Sequence, residues 1–104
     1  MNIKKLLGKR IQEIRKSLGM TQEKVAESMN IETSSLSNIE NGKYYPTAEN
    51  LEKICLVLGI PPEMLFQFEH LQNEKDLVLE INSRLTANPE KIRDVYKIVK
   101  AITE

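Results

Sequence analysis

Apolar residues recur at three- and four-residue spacing along most of this chain, and polar residues fill the positions between them. Ile3, Leu6, Leu7, Ile11, Ile14 and Leu18 make one such stripe, which predicts a first helix over residues 3–18 that stops at Gly19. Residues 21–42, TQEKVAESMNIETSSLSNIENG, read as two short helices joined by a tight turn. Thr21 is a good N-cap, and Gln22 and Glu23 lie in the first turn behind it. Val25, Ala26 and Met29 face inward. Asn30 falls where that helix must stop, and Asn tolerates a left-handed backbone better than any residue but Gly. The next helix, 33–41, turns Leu36 and Ile39 to the core and exposes Thr33, Ser34, Ser37, Asn38 and Asn41.

The pattern continues after a loop at Lys43-Tyr44-Tyr45-Pro46. Thr47 caps a fourth helix whose buried stripe is Leu51, Ile54, Cys55 and Leu58, closed by Gly59 and Ile60. Pro61-Pro62-Glu63 begins a short fifth helix that sends Met64, Leu65 and Phe66 inward. Residues 67–73 read as a connector. Beyond it, Leu77, Ile81 and Leu85, with Val78 beside them, mark a helix over 74–86. Asn88-Pro89 opens a last one over 89–102 with Ile92, Val95, Tyr96, Val99 and Ile102 aligned. Each patterned segment reads as a helix, so an all-α fold is expected.

At 104 residues the chain is one domain, or one small domain with an appendage. Its hydrophobic content of 40% and charged content of 29% suit a globular protein. No apolar run approaches bilayer length, and Met1-Asn2-Ile3-Lys4-Lys5 leads into no signal-like core, so a cytoplasmic protein without a membrane partner is expected. The single cysteine, Cys55, cannot form an intramolecular disulfide; its spacing fits a buried small hydrophobe, with redox sensing as the alternative. His70 is the only histidine and has no cysteine or patterned carboxylate near it in sequence. With no glycine-rich phosphate loop and no ligand cluster, neither metal, cofactor nor enzyme activity is expected.

The formal net charge is zero, but it is unevenly spread. Residues 1–24 hold seven lysines and arginines against two glutamates, a balance of +5, whereas 25–66 hold two lysines against six glutamates, −4.

The stretch 21–42 resembles the helix-turn-helix of the Cro/phage-repressor family of bacterial DNA-binding proteins. Gln22, Ala26, Asn30, Leu36 and Ile39 carry the likeness, together with the ending Ile39-Glu40-Asn41-Gly42-Lys43. Residues 3–66 also fit that family's five-helix, lambda-repressor-like domain. The resemblance implies a DNA-binding domain over 1–68 and a helical extension over 69–104. It implies base reading by Thr33, Ser34 and Asn38, with Ser37 reaching either a base or a phosphate. Asn38 is chemically the most specific, because a carboxamide can bind adenine N6 and N7 together. Gln22 and Lys43, supported by Asn41 and Tyr44, are the implied phosphate contacts, and the basic residues of the first helix lie on the segment that flanks nucleic acid in this fold. The same residues also suit a merely solvated face. Arg15 is implied to pair with Glu40 and fix the tilt of the second motif helix. Glu32 departs from the small or hydroxylated capping residue usual in the family. It either repels phosphates or accepts a hydrogen bond from a cytosine amino group.

Two functions follow as expectations. One is a sequence-specific, double-stranded-DNA-binding transcriptional regulator, a repressor acting as a symmetric homodimer. The other is a protein-interaction module, whose C-terminal helices bind a toxin or antagonist protein. In the first, Leu77, Ile81, Leu85, Ile92, Val95, Tyr96, Val99 and Ile102 supply the dimer contact; packing of the same helices on the first domain is the rival.

Overall fold

A computed structural model of the chain describes residues 2–104; Met1, where the expected first domain begins, lies outside the described residues. Among the described residues seven α-helices follow one another: α1 Ile3–Ser17, α2 Gln22–Met29, α3 Thr33–Glu40, α4 Ala48–Leu58, α5 Pro62–Leu65, α6 Glu74–Ala87 and α7 Ile92–Thr103. Single 3-10 turns at Glu69–Leu71 and Pro89–Lys91 precede α6 and α7. The chain divides into two compact units, one running to Leu71 and one over Gln72–Glu104. That places the junction three residues beyond the expected 68/69 boundary, because the turn at Glu69–Leu71 packs on α1.

The first unit is held by a core of Leu7, Ile11, Ile14, Val25, Ala26, Met29, Leu36, Ile39, Ile54, Leu58 and Leu65. α1 packs on α3 and α5, and α2 packs on α3 and α4. Thr21 and Thr47 cap their helices by accepting from the backbone N–H groups of Lys24 and Asn50 at 3.1 Å. α1 to α4 all close alike: Gly19, Asn30, Gly42 and Gly59 stand in the left-handed region. The next residue in each case (Met20, Ile31, Lys43, Ile60) donates its N–H back to Arg15, Ala26, Asn38 or Cys55. One kind of ending, repeated, turns the chain sharply four times.

Some of the predicted stripe does not reach the core. Ile3 and Leu18 are 43% and 51% exposed, because α1 outruns the surface it packs on and ends at Ser17. Phe66 is also exposed and lies tilted against Phe68, 6.3 Å between ring centroids, while Leu65 takes the buried position. Cys55 is half-buried, and burial pushes its thiol up, away from the reactive thiolate form.

Glycine at position 8 has a packing purpose. A Cβ there would overlap the carbonyl oxygens of Ile39 and Glu40, so α1 crosses the end of α3 backbone to backbone. At the same crossing a Cβ on Gly42 would stand 2.7 Å from the Cα of Lys5. Beside it, Arg15 and Glu40 form a buried bidentate pair, Nε to Oε2 at 2.7 Å and Nη2 to Oε1 at 2.9 Å. The third guanidinium nitrogen donates to the Met20 carbonyl at 2.8 Å. The bonds to Glu40 raise the arginine's pKa against the opposing effect of burial, so it stays charged throughout the working range.

In the second unit, Asn73 caps α6 by accepting from the Lys75 N–H at 2.8 Å. α7 starts three residues later than expected, since Pro89 opens a 3-10 turn rather than the helix itself. No residue of α6 or α7 is buried. Among the described residues, no helix is long and apolar enough to cross a membrane.

Near the junction, His70 Nε2 lies 2.8 Å and 3.1 Å from the two carboxylate oxygens of Glu13, which also accepts from Arg10. Arg10 in turn donates through Nε to the Met64 carbonyl at 2.9 Å. The bond to His70, ahead of that to Arg10, holds the Glu13 carboxyl below its ordinary range.

Two predictions arise here. Arg15→Ala or Glu40→Ala alone leaves a buried charge without its partner and should destabilise the first unit by about 3–5 kcal/mol. The double substitution should cost less than the sum, and additive sub-kcal effects in a denaturation cycle would show the pair to be unimportant. Separately, because the folded-state pKa of Glu13 is depressed, its contribution to stability is complete above the ordinary carboxylate range and fades as pH falls through the lowered value. A carbon-detected NMR titration should place its midpoint low, and His70→Ala should return it upward; an unchanged midpoint in that variant would remove His70 as the cause.

Candidate nucleic-acid interface

α2 and α3 meet through a turn fixed by Asn30, whose φ of 57° is the one left-handed backbone among described residues other than glycine. Leu36, Ile39 and Glu40 bury one side of α3, so the opposite side is left to solvent. Ser34 is exposed there, and Thr33, Ser37 and Asn38 are partly exposed. Among the described residues no hydrogen bond engages the Asn38 carboxamide, while its backbone carbonyl accepts from the N–H groups of Lys43 at 2.9 Å and Tyr44 at 3.4 Å. Asn38 therefore anchors the following loop through its main chain and keeps its side chain available.

Around this face stand the residues expected at phosphates. Lys43 and Tyr44 are exposed, with the lysine Nζ 5.5 Å from the tyrosine ring centroid. Asn41 is exposed and donates weakly to the Ser37 hydroxyl at 3.4 Å. Gln22, an implied phosphate contact, is also engaged inside the protein. Its Nε2 donates to Glu40 Oε1 at 2.9 Å, which joins it to the Arg15 pair. The sequence offered no sign of that bond, because position 22 and position 40 are brought together only by the α2–α3 turn.

The basic segment also changes character once folded. Arg15 is spent on Glu40, and Arg10 on Glu13 and the Met64 carbonyl. Lys4, Lys5, Lys9, Lys16 and Lys24 remain exposed as solvated point charges. Lysines of this kind suit a polyanion's backbone rather than planar, bidentate recognition. No signal in the charge count alone separates the two arginines from the lysines; their long-range partners do.

The profile of a family described as a helix-turn-helix domain matches residues 8–70. The chain is 36% identical over 73 residues to control protein C.BamHI of Bacillus amyloliquefaciens, covering 69% of this chain and 90% of that protein. It is 32% identical over 96 residues to the immunity repressor protein of Bacillus phage phi105. That match covers 92% of this chain but 61% of the repressor, so the chain spans less than two thirds of that relative's length. Among solved structures, the restriction-modification controller protein C.AhdI from Aeromonas hydrophila aligns with a TM-score of 0.60 at 26% identity, over 62% of this chain and 98% of the controller. The matched residues hold the α2–α3 pair and the Arg15–Glu40 contact behind it, and the chain belongs to the Cro/phage-repressor-type helix-turn-helix family of DNA-binding transcription regulators.

Proposed function

We propose that this regulator reads a two-fold symmetric operator in double-stranded DNA as a homodimer and acts as a repressor. The observation that carries the reading is the two-faced α3, polar and open on one side and pinned on the other by a buried ion pair. A major groove admits one helix, and residues toward its N-terminal end reach the base edges. Thr33, Ser34, Ser37 and Asn38 are assigned to bases, and Gln22, Asn41, Lys43 and Tyr44 to the backbone. One such helix reads only a few base pairs, so useful specificity calls for two half-sites. Selection of random duplexes by the purified protein at physiological salt tests the class: a two-fold symmetric consensus supports it, and no enrichment refutes it.

The apolar surface of the second unit supports the dimer. Ile81, Ile92, Tyr96, Val99 and Ile102 are 44–76% exposed, Leu77, Leu85 and Val95 are half-buried, and Leu79 and Ile98 add exposed apolar side chains outside the predicted stripe. Burying such surface stabilises by about 25 cal/mol per Å². A closed two-fold contact also sets two recognition helices about 34 Å apart, one turn of DNA. The second reading, an antagonist or toxin protein seated on the same helices, draws on the same surplus and is compatible with DNA binding.

Asn38→Ala should relax preference at one position per half-site, costing about 1–3 kcal/mol for the preferred base. Gln22→Ala or Lys43→Ala should weaken binding to all sequences alike, and loss of Lys43 should also flatten the salt dependence by roughly one unit of slope. An unchanged consensus for Asn38→Ala would overturn the assignment of α3.

A chain truncated after Gln72 should remain folded, sediment as a monomer and lose tight operator binding. If it stays dimeric, the helices beyond it are not the dimer contact.

A further inference from the structure

Glu32 is the last residue before α3, in extended backbone with φ −66° and ψ 143°. Its carbonyl accepts from the N–H groups of Ser35 at 3.0 Å and Leu36 at 3.3 Å, so its backbone is part of the helix start. Its side chain does not cap the helix and is exposed. The surrounding surface is lined by Glu23, Glu27, Thr33 and Ser35 among others, with no lysine or arginine among its lining residues. The carboxylate thus makes no cap bond, on a surface it shares with Thr33 and Ser35 that no lysine or arginine among the described residues lines.

We propose that Glu32 is a specificity-determining residue that selects cytosine in the operator, an inference that rests on the reading of α3 as the recognition helix. An ionised carboxylate only accepts hydrogen bonds. Base edges in the major groove offer two donors, cytosine N4 and adenine N6. In an A·T pair the adenine amino group lies between two acceptors, its own N7 and the thymine O4, so one of them repels the second carboxylate oxygen on either side. In a C·G pair guanine O6 flanks the cytosine amino group on one side only, and the other side offers C5–H. Guanine presents two acceptors, and thymine an acceptor and a methyl group, so both are rejected. Moving an unpaired negative charge up to DNA is unfavourable wherever it meets phosphates and favourable only where it meets an amino group. The same acidic surface that leaves Glu32 unpaired therefore makes it discriminating.

The test is duplex selection at fixed salt with the full-length protein and its Glu32→Gln and Glu32→Ser variants, each checked for helix content by circular dichroism. Wild type should enrich one cytosine per half-site next to the bases set by Thr33 and Asn38. Glu32→Gln should move that position to adenine, since a carboxamide matches N6 and N7 together. Glu32→Ser, which supplies a good cap, should lose the preference there, with discrimination falling about tenfold and the rest of the consensus intact. If both variants keep the wild-type consensus and bind all sequences more tightly, Glu32 only repels phosphates and the proposal is overturned. If wild type enriches no site, the recognition helix itself is misassigned and the proposal falls with it, an outcome distinct from the first.

Discussion

The arrangement of the first unit turns on one contact, the Arg15–Glu40 pair. Two charges taken out of water repay their desolvation only with good geometry, and here both carboxylate oxygens and all three guanidinium nitrogens are used. Arg15 reaches Met20 across the end of α1, and Glu40 receives Gln22 from the start of α2. Three helices are thereby locked at a single point. Hydrophobic packing holds the same helices together but is tolerant of small rotations. A bidentate pair is not, and it is the orientation of α3, more than its mere attachment, that decides where its outer face points.

Gly8 complements the pair from the other direction. The ion pair pulls the end of α3 toward α1, and the missing side chain lets the two backbones close up. Either feature without the other would set a different crossing. Together they specify a distance and an angle with a minimum of side-chain freedom, which suits a rigid reading head better than a flexible one.

What could be read from the amino acids follows the range of the interactions involved. Caps and closures are local, so Thr21, Asn30, Thr47 and Gly59 announce themselves within a turn. Core positions follow from periodicity, except at ends such as Ile3, Leu18 and Phe66, where the stripe continues past its partner surface. Arg15 sits among polar neighbours and reads locally as a surface residue; only the family resemblance pointed to Glu40. Nothing short-range marks Gly8 as a crossing point, joins Gln22 to Glu40, or links Glu13 to His70 across 57 residues. Those contacts exist only after the chain has turned four times.

The division of labour within α3 bears on how such a protein changes over generations. Leu36, Ile39 and Glu40 hold the helix in place, and the outer side chains contribute little to that task. Substitutions at exposed positions remote from the core usually alter stability by less than about 0.5 kcal/mol. The residues facing outward are therefore free to drift, and a lineage can exchange one target for another without passing through an unfolded intermediate. Diversity would accumulate on one side of a single eight-residue helix while the opposite side stays still, so that related chains share a scaffold and differ in what they address.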